Sequence, residues 1–448
     1  MSGAALARPG GRGADASATL AIAFPIAVAN LSQMAMAITD SVMLGHISDD
    51  ALAAGGLGGN LFFTVVITLQ GVLSAVGVLV ARARGAGDAA AAPVAYWSGM
   101  ALAAGLALAG FLVASFPAPL LRWSGEPEGL QRDVTAYLGV LRWGAPAALM
   151  GTGLMRAFLP AVGLQRVLLW VVPSAVLLNG ALNWQLIHGG FGLPGFGLRG
   201  SAAATAATLW AVALTMGALL HARPAWRAHV WPPRVRLGVM REVLAIGLPV
   251  SGASLMEGAL FLATGLLAGS LGAETLAAHA VAINVTAVTF MIPYAISQAA
   301  NVRVAEASGA GDAGGARRAG TTAVALAAGI MAAAALALVA APGLIASLFV
   351  TGPAAAIAVR LLQVSAMFQL ADGVQVVAAG ALRGLKDTRV PMLLAALGYW
   401  GIGFWSGRWL AFDGGLGAVG LWLGLFAGLM VSAACLTARF LWLTRRLS

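Results

Sequence analysis

Two long stretches of this chain carry one pattern. Leu20 to Asp88 aligns without a gap with Leu244 to Asp312, at a constant offset of 224 residues. Pro25 falls on Pro249, Gly45 on Gly269, and Leu52-Ala53-Ala54 on Leu276-Ala277-Ala278. Gly85-Ala86-Gly87-Asp88 falls on Gly309-Ala310-Gly311-Asp312, and 21 of the 69 positions are identical. Apolar composition alone does not bring prolines, glycines and an aspartate into register. Such a duplication restricts the fold to two related units built on one plan.

Hydropathy shows the nature of the units. The chain is 60% hydrophobic and 9% charged, with a mean hydropathy of +0.89, where a soluble chain carries about 25% charged residues. A bilayer span needs about 20 mainly apolar residues. Breaking the sequence at charges, prolines and glycine clusters gives twelve spans: 18–44, 52–82, 92–115, 134–156, 166–187, 198–221, 243–271, 276–303, 319–348, 355–382, 390–410 and 416–441. The expected fold class is an all-α membrane protein, with twelve transmembrane helices in two pseudo-symmetric six-helix bundles. The expected division is a tail at 1–17, a first bundle at 18–221, a linker at 222–242, a second bundle at 243–441 and a tail at 442–448. Arg8 and Arg12 precede an apolar stretch, as in a secretion signal. That stretch carries Pro25, Asn30, Gln33 and Asp40 and belongs to the repeat, so it is read as a span.

Basic residues orient the spans. With both termini in the cytoplasm, only Arg122, Arg132, Arg142, Arg199, Arg360 and Arg408 face outward, and the other twenty of the 26 Lys and Arg face inward. This is the positive-inside bias, and it accounts for the net charge of +10 without nucleic acid as a partner. Six spans per bundle make the repeats parallel. The linker, broken by Pro224, Pro232 and Pro233, is the longest basic loop and reads as a solvated connector or a strap at anionic lipid.

Several chemistries are excluded. The single Cys435 permits neither an intramolecular disulfide nor a cysteine zinc cluster. No P-loop and no H-E-x-x-H occur, which disfavours an ATP-driven pump and a zinc hydrolase. GAGD at 85–88 and 309–312 resembles the G-x-G-D of intramembrane aspartyl proteases. Both copies fall in equivalent loops and lack a partner carboxylate at membrane depth, so a glycine turn leaving a helix is expected. Gly420, Gly424 and Gly428 form GxxxGxxxG in the last span, which serves close helix packing or, less readily, dimerisation.

Three acids lie well inside spans: Asp40, Glu257 and Asp372. An ionisable group there costs several kcal/mol by insertion scales unless it faces protein or water, and so marks a functional position by default. Arg142 is the basic exception, toward the outer side of the fourth span. Glu257 lies about 22 Å along its helix from Glu242 and Asp372 about 16 Å from Arg383, at 1.5 Å per residue, depths compatible with one shared pocket. The repeat breaks here, with Thr264 opposite Asp40 and Gln33 opposite Glu257. Asn179 and Asn183, four apart, share a helix face, and Thr205 follows in the next span. Carboxylate, amide and hydroxyl oxygens suit Na⁺ or a proton; a hydrogen-bond cluster joining helices is the alternative. A carboxylate taken out of water holds its proton more tightly, and exchanging that proton for another cation is the chemical minimum for antiport.

Longer runs carry a resemblance. SLMEGALF (254–261), AAHAVAINV (277–285), ITDSVMLGHI (38–47) and above all QLADGVQVVAAGALRGLKDTRVP (369–391) resemble the multidrug and toxic compound extrusion (MATE) family in its NorM-like branch, over about 20–440. The resemblance implies two six-helix lobes working by alternating access. It implies a first-lobe cation site on Asp40, Asn179, Asn183 and Thr205 and second-lobe acids at Glu257 and Asp372. Asn183 stands where some relatives carry Asp, and Phe368 where a Tyr is expected. Gln33, Asn284, Phe368 and Gln375 are the candidates for the substrate cavity. The expected function is that of a non-enzymatic secondary antiporter exporting organic cations and amphipathic compounds against Na⁺ or H⁺, with no other cofactor. Export of an endogenous metabolite, or flipping of a lipid-linked oligosaccharide, are the alternatives. It is expected in the plasma (inner) membrane, as a monomer whose partners are the bilayer and small molecules.

Overall fold

A computed structural model describes residues 12–123, 125–190 and 192–446. Arg8, most of the expected N-terminal tail and the last two residues lie outside them. Within lipid, backbone polar groups must bond within their own segment, which leaves helices as the way to span. Among the described residues, ten helices are long and apolar enough to cross a membrane. They are α1 (Arg12–Gly45), α2 (Asp49–Gly85), α3 (Ala91–Ser115), α5 (Arg166–His188), α6 (Gly197–Ala222), α7 (Leu237–Ser270), α8 (Ala273–Gly309), α9 (Ala313–Ala340), α10 (Pro353–Gly384) and α12 (Gly417–Arg446).

The two remaining places in the series of twelve are filled by interrupted helices. The fourth, α4, runs over 128–161 through a 3₁₀ turn at Arg142–Gly144 and a π-helical segment at Ala147–Gly153. The eleventh, α11, runs over 389–412 with a π-helical segment at Leu397–Phe404. In α4 the Gln70 side chain of α2 donates to the Ala148 carbonyl (3.1 Å) and Thr152 Oγ1 donates to the same oxygen (2.7 Å). Side-chain insertion into the ladder is a recognised cause of such a segment. The ninth span ends earlier than expected, at Ala340, because Pro342 opens a separate short helix, Pro342–Ser347.

The repeat is visible in local geometry. Gly45 and Gly269 each face the side chain of the leucine seven residues on, Leu52 and Leu276, at the same 3.7 Å from an added Cβ. Gly87 and Gly311 take φ of +74° and +73°, the left-handed conformation that glycine tolerates. Asp88 Oδ1 then accepts from the amides of Ala90 and Ala91, and Asp312 caps α9 by accepting from Gly315 N–H. GAGD is thus a helix stop followed by a helix cap.

Packing divides the chain differently from the loops. One compact unit holds Met1–Ala27, Gly85–Gly87 and Gly252–Ser448; the other holds Val28–Arg84 and Asp88–Ser251. The beginnings of α1 and α7 therefore each join the unit that does not contain the rest of their helix. The two cuts, after Ala27 and after Ser251, are 224 residues apart, the offset of the repeat.

Different bonds hold the two beginnings. In the first unit Arg303 of α8, buried, binds the start of α1. Its Nη2 meets Asp15 Oδ1 at 2.5 Å, and its Nη1 donates to the Asp15 carbonyl and to Thr19 Oγ1, both at 2.8 Å. In the second unit close approach does the work. Ser251 Oγ donates to the Thr68 carbonyl at 2.6 Å, and a side chain at Gly247 would overlap the Val72 backbone.

In the first unit α10 is central, packed by α8, α9 and α12, around Phe368 and Trp422. In the second, α6 packs on α5 and on the π segment of α4, and Tyr96 and Phe158 meet with ring centroids 4.9 Å apart. The GxxxGxxxG of α12 is consumed internally. An added Cβ at Gly424 or Gly428 would overlap the backbone of Gly407, Gly403 or Gly398 in α11.

Removing one partner of a buried ion pair strands the other charge, at a cost of about 3 kcal/mol or more. Asp15→Asn is accordingly expected to lower the protein's thermal midpoint in detergent. A conservative change at the exposed Asp50, measured alongside, is expected to leave the midpoint within error.

Candidate functional site

Asp40 sits on α1 five residues before its end at Gly45, in the second unit, and is 9% exposed. Its Oδ1 accepts from Asn183 Nδ2 at 2.7 Å and its Oδ2 from Thr205 Oγ1 at 2.8 Å. Asn179, Asn183 and Thr205 are fully buried. The Asn183 amide also donates to the Asn179 carbonyl (3.0 Å), one helical turn back. The structure thus gathers three helices, α1, α5 and α6, on one carboxylate, and gives each of its oxygens a neutral donor.

Oxygen atoms are left over. Asn179 Oδ1 and Asn183 Oδ1 are buried beside this carboxylate without a protein hydrogen-bond partner. Buried polar atoms in proteins are nearly always partnered, and an exception calls for an explanation such as an ion or water. A carboxylate with nearby amide and hydroxyl oxygens is the donor set a small hard cation takes. Among the described residues no three of His, Cys, Asp and Glu gather as a metal site, so such a site would rest on one charge and neutral oxygens.

Two members of this cluster escaped the sequence. Ser201 lies four residues before Thr205, and its helical spacing was a usable signal. Tyr137, on α4, is buried near Ser201 and within the electrostatic reach of Asp40. Gly58 makes room for its ring, since an added Cβ there would stand 2.8 Å from Tyr137 Cδ1. Nothing in the spacing of a lone tyrosine points to that contact.

A small cleft lies in the same unit, lined by Ser32, Gln33, Met36, Thr152, Val172 and Thr208 among others. Arg156 of α4 donates through one guanidinium nitrogen to Gln33 Oε1 and through another to Asn30 Oδ1. Gln33 therefore borders a cavity, with its amide oxygen engaged by an arginine.

The other unit holds Glu257 and Asp372. Asp372, on α10, is 4% exposed, and its Oδ1 has no hydrogen-bond partner. Glu257, on α7, is half-buried and acts on Asp372 electrostatically. Gln375, one turn beyond Asp372, donates from Nε2 to Tyr399 Oη at 2.9 Å. Phe368 is sealed in the core, its ring 5.5 Å from that of Trp422 and 6.3 Å from that of Phe261. Asn284 is exposed on α8, at the repeat position of Asn60, itself exposed on α2. Among the described residues no hydrogen bond joins Phe368 or Asn284 to the two acids.

Known proteins share this organisation. The family model described as MatE matches residues 25–185 and 249–407, two segments that each open at the repeated proline, Pro25 or Pro249. "Probable multidrug resistance protein NorM" of Burkholderia mallei is 52% identical over 443 residues, which cover 98% of this chain and 95% of that protein. "Multidrug resistance protein NorM" of Burkholderia vietnamiensis is 49% identical over 428 residues, covering 94% and 93%. Among solved structures, an outward-facing multidrug resistance MATE family transporter of the MOP superfamily aligns with a TM-score of 0.88 at 18% identity, over 97% of each chain. A MOP superfamily transporter from Pyrococcus furiosus aligns with a TM-score of 0.87 at 18% identity, over 97% of this chain and 96% of the other. These two likenesses fix the fold.

Stripping one donor from a buried charged acceptor costs about 1–3 kcal/mol. Thr205→Val is expected to destabilise the protein by that amount in a denaturation series, and Thr205→Ser, which keeps the donor, by clearly less. Equal losses from the two variants would assign the effect to packing.

Proposed function

The chain belongs to the MatE family, and from that premise we propose that it is a secondary antiporter that exports cationic and amphipathic drugs in exchange for Na⁺ or H⁺. The observation that carries this reading is Asp40. It is a carboxylate in a membrane helix, bonded by Asn183 and Thr205 and flanked by orphaned oxygens. A group so placed exchanges cations as its surroundings open alternately to the two sides. The names of the relatives, multidrug resistance proteins, support drug export as the cargo.

In this mechanism the side chains have separate tasks. Asp40 carries the charge that a proton or Na⁺ neutralises. Asn183 and Thr205 hold the carboxylate so that it faces the amide oxygens of Asn179 and Asn183. Glu257 and Asp372 form a second acidic site, and their proximity favours one cation shared by the pair over two independent charges. Loading a cation removes net negative charge from an apolar interior, which lowers the barrier to moving that interior between access states. A cationic drug competes for the same charge. This competition is what couples drug exit to ion entry.

The bias of basic residues supports a plasma (inner) membrane location with both ends cytoplasmic. Consumption of the α12 glycines within the fold supports a monomer, because the most obvious dimerisation stripe is already covered.

An amide keeps the shape of a carboxylate but cannot cycle its charge. Asp40→Asn is therefore expected to cut gradient-driven dye efflux by roughly tenfold or more, with expression retained. Asp372→Asn and Glu257→Gln are expected to do likewise. Wild-type ion dependence in well-expressed Asp40→Asn protein would rule out the first-site role. Wild-type export in both other variants would remove the second site from the mechanism. For topology, cysteines placed at 225, 229 and 235 should resist an impermeant thiol reagent in intact cells and react after permeabilisation. Ready labelling in intact cells would reverse the orientation.

A further inference from the structure

Tyr399 stands among the groups of the acidic pair without having been assigned a task. It lies on the π-helical segment Leu397–Phe404 of α11 and is 2% exposed. Its hydroxyl accepts a hydrogen bond from Gln375 Nε2 at 2.9 Å. Gln375 is itself 6% exposed and lies three residues after Asp372, on the same face of α10. The next residue, Trp400, donates from Nε1 to the carbonyl of Met256 at 3.2 Å, which ties the π segment to α7 one residue before Glu257. The segment is therefore anchored at both helices that bear the acids. Glu257 from α7 and Asp372 from α10 are the two titratable groups that act on the Tyr399 hydroxyl.

We propose that Tyr399 is a further residue of the coupling site in this unit, its hydroxyl being the third oxygen that, with Asp372 and Glu257, receives the coupled cation. The proposal rests on the antiport reading above. A phenol has one proton to donate and two lone pairs. Gln375 uses one lone pair. The phenol proton cannot go back to the donating amide, and Asp372, one turn before Gln375 on the same face of α10, offers a buried carboxylate oxygen, Oδ1, that has no hydrogen-bond partner in the structure. In this proposal Tyr399 turns its proton to Asp372 when that carboxylate is ionised. With Asp372 protonated, or with Na⁺ between the carboxylates, the remaining lone pair accepts. A hydroxyl can reverse its role in this way without moving its ring. Phenylalanine keeps the ring and loses both roles.

The π segment explains why a tyrosine of α11 reaches this place. A π turn inserts an extra residue and redirects the side chains around it, and such segments are frequent at functional sites. Gly398 and Gly403 let the segment lie directly on the backbone of α12, so the deformation is held in position.

The test uses the full-length protein in proteoliposomes, with dye export driven by a Na⁺ gradient and by a pH gradient in separate arms. Tyr399→Phe is expected to raise the apparent KM for the driving ion by roughly tenfold, while the rate at saturating ion stays within about twofold of wild type. Gln375→Leu, which removes the bond that orients the phenol, is expected to move the same KM in the same direction by less. A merely structural tyrosine would lower the rate or the yield and leave the ion KM unchanged. That result in Tyr399→Phe overturns the proposal, as does a wild-type ion KM; if Tyr399→Phe is not recovered folded, the ion KM of Gln375→Leu decides on the same terms. Asp372→Asn in the same vesicles separates the two levels. Lost coupling there together with a wild-type Tyr399→Phe removes Tyr399 alone. Wild-type coupling in both Asp372→Asn and Asp40→Asn removes the antiport reading itself.

Discussion

A carboxylate among apolar helices costs several kcal/mol unless protein or water surrounds it, and this cost organises the molecule around three acids. Asp40 is surrounded by donors from two other helices, so α1, α5 and α6 meet at its carboxylate. Asp372 has no such set of donors, and its Oδ1 is buried without a partner. A fold optimised only for stability would have replaced such groups by leucine. Beside Asp40 the amide oxygens of Asn179 and Asn183 are left without partners as well, so hydrogen bonding within the protein does not offset the whole cost, which is the observation the antiport proposal builds on.

The duplication separates scaffold from chemistry. The halves share backbone. Gly45 and Gly269 have the same leucine neighbour, Gly87 and Gly311 the same positive φ, and both GAGD loops end one helix and cap the next. They do not share charge. The counterpart of Asp40 is Thr264, whose hydroxyl is satisfied on its own helix by the Leu260 carbonyl at 2.8 Å. The counterparts of Asp15 and Arg303 are Val239 and Leu79, so the ion pair that secures the start of α1 has no twin at the start of α7. One backbone plan thus carries two different sets of polar groups and two different fastenings.

Much of this was legible in the sequence, and the reason is physical. Spans follow from the length of apolar runs, the loops from glycine and aspartate chemistry, and the grouping of Asn183 and Thr205 with Asp40, which the hydrogen bonds display, was what the family resemblance implied. Long-range contacts were not legible. Tyr137 reaches the Asp40 cluster from α4, and no local pattern announces it. Arg156, the last residue of the expected fourth span and counted only as an inward-facing charge, grips Asn30 and Gln33. Phe368, expected in the cavity, is a core ring beside Trp422. The crossing of α1 and α7 between compact units after Ala27 and Ser251 depends on which partner each helix start finds. Loops do not encode that choice.

The glycines of the last span show how a motif is spent. GxxxGxxxG brings two backbones together wherever small residues oppose one another, in one chain or between two. Here the opposing surface is Gly398, Gly403 and Gly407 of α11, close enough that an added Cβ on Gly424 would overlap Gly407. Two of these, Gly398 and Gly403, lie in the π segment itself, where an irregular ladder needs support from a neighbour to persist. α12 supplies that support along its glycine stripe. The closeness of these two helices is therefore what allows α11 to depart from regular geometry, and that departure is what carries Tyr399 to Gln375.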